Sequence, residues 1–272
     1  MGEGSAGPQP LQGQHALITG ANRGIGAAIA RHFARAGADV TLLVRTPASA
    51  EPLAKELLAM GVRAAVVGAD VTDAAALRTA ITAAEQALGP VHVLVNNAGT
   101  AETVPFHKTD DAVLSRMLDI HVRAPMHAIQ AVLPGMVARG GGRIINVASI
   151  AGLAGGPYIA AYCAAKHAEV GLTRALAVEY QTKGILVNAV CPGYVDTDMV
   201  HDAIAKVVQK TGISAEQALR TILSDARQDR LVTVDEVAHA VVAYALPSRI
   251  VSGEALAVTG AAPHSPHPSH AS

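Results

Sequence analysis

Short apolar runs alternate along the chain with longer Ala-rich segments in which apolar residues return at helical spacing. The runs are HALITG from His15, DVTLLVR from Asp39, AAVVGAD from Ala64, VHVLVNNAG from Val91, GRIINVAS from Gly142, ILVNAVCPG from Ile185 and EALAVTG from Glu254. Their length and their Gly, Asp and Asn boundaries predict strands. The segments between them predict helices beginning near Gly24, Ala48, Asp73, Thr109, Pro157, Asp196 and Val234. Strands joined by helical crossovers form a parallel sheet with helices on both faces. Several runs are apolar almost throughout, as a sheet covered on both sides requires. The expectation is an α/β fold of the doubly wound, Rossmann type with about seven strands. Ligands of such sheets bind beyond the carboxyl ends of the strands, so the informative residues should follow the runs.

Composition narrows the partners. A formal net charge of -1, without long basic runs, argues against a nucleic-acid groove or an anionic membrane surface. A small-molecule ligand fits better. Half the 272 residues are hydrophobic, yet 3% are aromatic and Trp is absent, so Ala, Val, Leu and Ile must fill the core. One domain over 14–261 is expected, flanked by disordered tails at 1–13 and 262–272. The opening MGEGSAGPQPLQGQ has no apolar signal region, and Ala6 stands where myristoylation wants Ser or Thr. No apolar run is long enough to span a membrane. Cys163 and Cys191 offer neither a disulfide framework nor metal spacing, so both read as small core residues in a reducing, cytoplasmic setting. His264, His267 and His270 could chelate a metal, but tail composition is the simpler reading and no metal site is expected.

After the first strand comes TGANRGIG, with Gly20, Gly24 and Gly26. Glycines there permit a tight turn and close backbone approach of a diphosphate, which would rest on the amides opening the next helix. The spacing TGxxxGxG resembles the short-chain dehydrogenase/reductase family in its compact single-domain branch. The resemblance extends through NNAG at 96 to 99, Ser149, the pair Tyr162 and Lys166, and NAVCPGYVDT from Asn188 to Thr197, covering roughly residues 14 to 260.

That resemblance implies a catalytic set of Ser149, Tyr162 and Lys166. Tyr162 and Lys166 are at i and i+4 on one helix face. A phenol is a poor acid at neutral pH, and a neighbouring ammonium favours its ionised form. Lys166 would supply that charge and bond the nicotinamide ribose, while Ser149 polarises a ketone that receives hydride and Tyr162 protonates its oxygen. The resemblance also implies cofactor contacts from Gly20, Asn22, Arg23, Gly24, Ile25 and Gly26. It adds Asp70 and Val71 for adenine, the turn Asn97, Ala98 and Gly99, and Pro192, Gly193, Val195 and Thr197 near nicotinamide. The second strand ends with Val44 at the usual acidic position, then Arg45. With Arg23 as a second cation, this favours NADP(H) over NAD(H).

One position departs from the family pattern: His121 stands where Asn is usual, at a residue that holds water in a proton relay. Pro125 has no N–H to give the carbonyl of residue 121, so that carbonyl can bind water. The expectation is that the backbone carries the relay and the imidazole supplements it; the competing one is that His121 disables catalysis. A long helical segment near 196–232 is expected to lid the substrate site, and with GYVDTDM it resembles enzymes of hydroxybutyrate and polyketide 3-oxoacyl chains. The implied reaction is NADP(H)-linked interconversion of a ketone and secondary alcohol, such as a 3-oxoacyl thioester. An NAD(H)-dependent hydroxy-acid or alcohol dehydrogenase, a sugar-nucleotide epimerase or dehydratase, and a non-catalytic cofactor-binding sensor or subunit remain open alternatives. Family members are commonly homotetramers built on the helices around Thr109 to Arg139 and Pro157 to Tyr180, so a tetramer or dimer is expected.

Overall fold

The computed structural model describes residues 9–260. Each apolar run contains a strand: β1 (His15–Thr19), β2 (Asp39–Val44), β3 (Ala64–Gly68), β4 (Val93–Asn96), β5 (Gly142–Val147), β6 (Ile185–Pro192) and β7 (Ala255–Val258). They pair in parallel in the order β3-β2-β1-β4-β5-β6-β7. Between them run α1 (Gly24–Arg35), α2 (Glu51–Ala59), α3 (Ala74–Leu88), α4 (Asp111–Leu118), α5 (Ala124–Arg139) and α6 (Ala160–Tyr180). After β6 come α7 (Asp198–Thr211), α8 (Ala215–Asp225) and α9 (Val234–Ala245).

Strand alternation divides the apolar residues between two cores. Ile18, Leu42 and Val95 meet α1 and α9 through Ile29, Phe33, Val241 and Tyr244. Leu17, Leu43 and Leu94 face the opposite layer, where Leu77 and Ile81 of α3 join Ile129 and Val132 of α5. Strand order reverses between β1 and β4, which opens a crevice at their carboxyl ends.

Several expected boundaries shift, each for a local reason. The expected 1–13 tail is too long, because Leu11 is buried in the first core and its N–H donates to the Ala36 carbonyl. Its first eight residues, and Ala261 with the tail at 262–272 and its three histidines, lie outside the described residues. Asp73 caps α3 by accepting from the Ala75 and Ala76 amides. The helix expected near Thr109 is two helices joined by a π-helical turn, Asp119–Arg123, just ahead of Pro125. The helix expected near Pro157 starts at Ala160, after Tyr158 adopts a φ of 63°. Cys163 is half-exposed on α6 instead of lying in the core, whereas Cys191 is buried on β6; both are free thiols. Among the described residues no helix is long and apolar enough to cross a membrane.

Candidate active site

The turn after β1 is held by its neighbour across the crevice. The Thr19 hydroxyl accepts from the amides of Asn97 and Ala98, while the Asn97 side chain donates to the carbonyls of Thr19 and Gly20 at 2.9 and 3.2 Å. Little room remains between the two turns. A Cβ on Gly20, whose φ is +66°, would lie 2.9 Å from the Ala98 Cα, and one on Gly26 would lie 2.3 Å from the Gly20 oxygen. Arg23 occupies the N-cap of α1 and makes no side-chain capping bond. The first amides of α1, on Gly24 and Ile25, therefore have no side-chain cap, the donor set that suits a diphosphate. Asn22 lies within this turn.

Along the adjoining edge, Val44 ends β2 buried and Arg45 follows exposed. Asp70 accepts from the Thr72 hydroxyl at 2.7 Å and the Thr72 amide at 2.9 Å. Those two bonds, the hydroxyl's first, hold its carboxyl below the usual range, with a smaller contribution from the Arg45 charge. Val71 follows Asp70 and packs with the second core. Arg23 is paired with Asp198 at the start of α7, at 3.6 Å and in solvent. That contact, which no local pattern announces, joins the glycine turn to the expected lid.

An open cleft of about 570 Å³ continues from this crevice, and Ser149, Tyr162, Lys166 and His121 all line it. Ile25, Asn97 and Gly99 line it as well. Pro192, Gly193, Val195 and Thr197 form a further wall, with Met199 and Val200 from α7. Helices α7 and α8 pack together around Val200, Ile204 and Ala218, so the expected lid has its own small core. Gln228, a residue sequence reading missed, braces this wall: its Oε1 accepts from the Tyr194 amide at 2.7 Å.

Ser149 lies just beyond β5 in extended conformation, and its Oγ accepts from the Ala151 amide at 3.1 Å. Tyr162 enters on the first turn of α6. Lys166, one turn on, is 4% exposed, with Nζ 5.9 Å from the centre of the Tyr162 ring. Its ammonium donates to the Val147 carbonyl at 3.0 Å and to Glu169 Oε2 at 2.8 Å. Glu169, itself 2% exposed, is a second residue that sequence reading missed. Its signal was a carboxylate on the buried stripe of α6 with Lys166, Val170 and Thr173.

His121 is buried within the π-helical turn, edge-on to Tyr162 with ring centres 5.2 Å apart. Its Nε2 lies 2.7 Å from the Thr100 carbonyl, so that nitrogen carries the proton and Nδ1 is left as the acceptor. Burial, reinforced by the Lys166 charge, pushes the imidazolium pKa down to about 3. The ring is therefore neutral through the physiological range. Gly99 packs against it: a Cβ there would meet His121 Cε1 at 2.7 Å.

The family model described as short chain dehydrogenase matches residues 14–207. A 2-(S)-hydroxypropyl-CoM dehydrogenase of Xanthobacter autotrophicus is 39% identical over 252 residues, covering 93% of this chain and 94% of that protein. A D-beta-hydroxybutyrate dehydrogenase of Cupriavidus necator is 35% identical over 228 residues, 84% of this chain and 88% of its own. The crystal structure of L-sorbose reductase from Gluconobacter frateurii, complexed with NADPH and L-sorbose, superposes with a TM-score of 0.87 at 29% identity, covering 93% of this chain and 97% of that one. The chain belongs to the short-chain dehydrogenase family. It is an NAD(P)-dependent oxidoreductase of alcohol and ketone substrates.

The buried neutral imidazole makes stability depend on pH. An unfolded His binds a proton near pH 6.5, whereas folded His121 resists it until about pH 3. Between those values the unfolded state holds more protons, so stability falls as pH falls. Urea unfolding from pH 7 to pH 5 is expected to show about 2 kcal/mol more loss in the native chain than in His121→Asn. His15 and His92, also held low by burial, are common to both proteins and cancel.

Proposed function

We propose that the cleft interconverts a ketone and its secondary alcohol with NADP(H), the substrate being a 3-oxoacyl thioester or related 3-oxo compound. The observation that carries this reading is the convergence of Ser149, Tyr162 and the buried Lys166 ammonium on one cleft beside the glycine turn. When bound, the nicotinamide supplies or takes the hydride. Ser149 Oγ and the Tyr162 hydroxyl would hold the carbonyl oxygen, and Tyr162 gives it the proton that completes reduction. Lys166 stabilises the phenolate left behind. The uncapped amides opening α1 would hold the diphosphate, and Asp70 with Val71 the adenine.

Arg23 and Arg45, with Val44 in place of a carboxylate, support a 2′-phosphate. The NADPH in the related L-sorbose reductase agrees with that choice. The 3-oxo substrate class draws on the hydroxybutyrate relative and on the α7–α8 pair, whose Met199 and Val200 line the cleft as a lid would. The chain would act in the cytoplasm. Assay of NADPH against NADH with small 3-oxo esters and acyl thioesters should show NADPH preferred. Tyr162→Phe should lower turnover by about 10²-fold or more with cofactor affinity retained. Intact Tyr162→Phe turnover overturns the mechanism.

The His121 carbonyl receives no N–H from Pro125, so the reading assigns it the relay water, with Nδ1 as a supplementary acceptor. Turnover of His121→Asn is expected to be equal to or below that of the native chain. A rise of several hundredfold would show that the imidazole blocks the relay.

The homo-oligomer belongs to the same reading. Val178 on α6 is 76% exposed and Val137 on α5 is 39% exposed, apolar positions that subunit contact would cover. Sedimentation should show a dimer or tetramer for the native chain and a smaller species for Val178→Glu.

A further inference from the structure

We propose that Glu169 is a positioning residue for catalysis: as the buried counter-ion of Lys166, it keeps the ammonium charged and aimed beside Tyr162. The inference rests on the role given to Tyr162 and Lys166 under Proposed function. Its ground is geometric. Glu169 Oε2 lies 2.8 Å from Nζ, and the two side chains are 2% and 5% exposed, so neither charge is shared with solvent.

An ammonium has three N–H donors. One goes to the Val147 carbonyl and one to Glu169, which leaves a single N–H for the cleft that Lys166 lines. Two fixed bonds thus set the direction of the third. The backbone that carries the carboxylate is itself part of a buried polar chain. Asn96 donates to Asn146, Asn146 to the Thr173 hydroxyl, and that hydroxyl to the Glu169 carbonyl, at 2.9, 2.8 and 2.9 Å.

A buried amine without a counter-ion sheds its proton at lower pH than a solvated one. Burial acts on Lys166 in that direction, but the Glu169 charge, then Tyr162 and the Glu169 hydrogen bond, outweigh it and hold the ammonium above its ordinary value. Burial pushes the Glu169 carboxyl up, and there the Lys166 charge and the 2.8 Å bond oppose it and favour the carboxylate. Groups on the surrounding elements do not replace Glu169. Cys191 on β6 is a thiol that burial pushes up to about 11, and His121 on the π-helical turn is neutral. Tyr194, beyond β6, is also pushed up by burial. On α4 and the following turn, Arg116 pairs with Glu102 and Asp119 with Arg123, while Asp111 is exposed. Lys183, after α6, stacks on Tyr180, and His167, Arg174 and Glu179 of α6 are exposed. The 3₁₀ turn Ile150–Gly152 carries no titratable side chain.

Reduction needs a protonated phenol beside a protonated amine. Loss of either proton ends activity at high pH, and removing the Glu169 charge makes proton loss easier. The test follows kcat/KM for reduction of ethyl acetoacetate by NADPH from about pH 6 to about pH 10 in the native chain, Glu169→Gln, Glu169→Asp and Tyr162→Phe. The alkaline limb of E169Q is expected to fall by at least about one pH unit, roughly a tenfold loss at high pH relative to low pH. E169D, whose carboxylate is withdrawn by one methylene, moves the limb the same way by a smaller step. A second readout needs no substrate: tyrosinate absorbance, taken as the difference between each protein and its Tyr162→Phe counterpart. In E169Q phenolate formation is expected at higher pH, because Lys166 discharges first.

A limb and a tyrosinate transition that both superimpose on the native ones overturn the inference. A tyrosinate transition at lower pH also overturns it, since Glu169 would then act on the phenol directly rather than through Lys166. Should E169Q fail to fold, E169D decides: an unmoved limb overturns the role. Turnover by Y162F would instead defeat the underlying mechanism, which keeps the two failures distinguishable.

Discussion

All seven strands run parallel, and that one constraint delivers every carboxyl end to the same edge of the sheet. Gly20 follows β1, Asp70 follows β3, Asn97 follows β4, Ser149 follows β5, and Gly193 follows β6. None of these residues needs to be near another in sequence. The order reversal between β1 and β4 keeps helices from covering that edge, so backbone amides face the crevice. The price of the close approach is glycine at 20 and 26, where side chains would strike the facing backbone.

What could be read from the chain alone was whatever local rules determine. Seven apolar runs became seven strands, because runs this short, rich in Val and Ile and bounded by Gly, Asp and Asn, suit strands and not helices. The glycine turn and the Tyr162–Lys166 spacing were legible for the same reason, being written within single elements. The misses share a different cause. Leu11 joins the core only because α1 passes above it, which no local pattern announces. The π-helical turn at Asp119–Arg123 places His121 in the cleft, and the register change there depends on packing around Pro125 rather than on propensity. Arg23 meets Asp198 across well over half of the chain, and Glu169 looks like an ordinary helix carboxylate until its burial is known.

Buried polar groups also tie the helix that carries Tyr162 to the sheet beneath it. Asn96 of β4 and Asn146 of β5 are paired in register, and their amides continue the chain to Thr173 on α6. Apolar packing alone tolerates sliding of a helix over a sheet, whereas a satisfied hydrogen-bond chain in a low-dielectric interior does not. The consequence falls on the cleft. With α6 fixed by Thr173, the side chains at 162, 166 and 169 present one set of positions to Ser149 and to the strand ends.

Electrostatically, the inner part of the cleft is simpler than its list of titratable groups suggests. His121 is neutral by burial, and the Cys191 thiol is protonated for the same reason. Arg23, Arg45 and Asp198 stand in solvent, where salt screens them. The remaining strong source is the Lys166–Glu169 dipole. A buried ion pair gives little net stability, because desolvation of both groups offsets their attraction. Its presence is better explained by what it does to its neighbours: it fixes a direction of field beside the Tyr162 ring, without adding net charge to the protein interior.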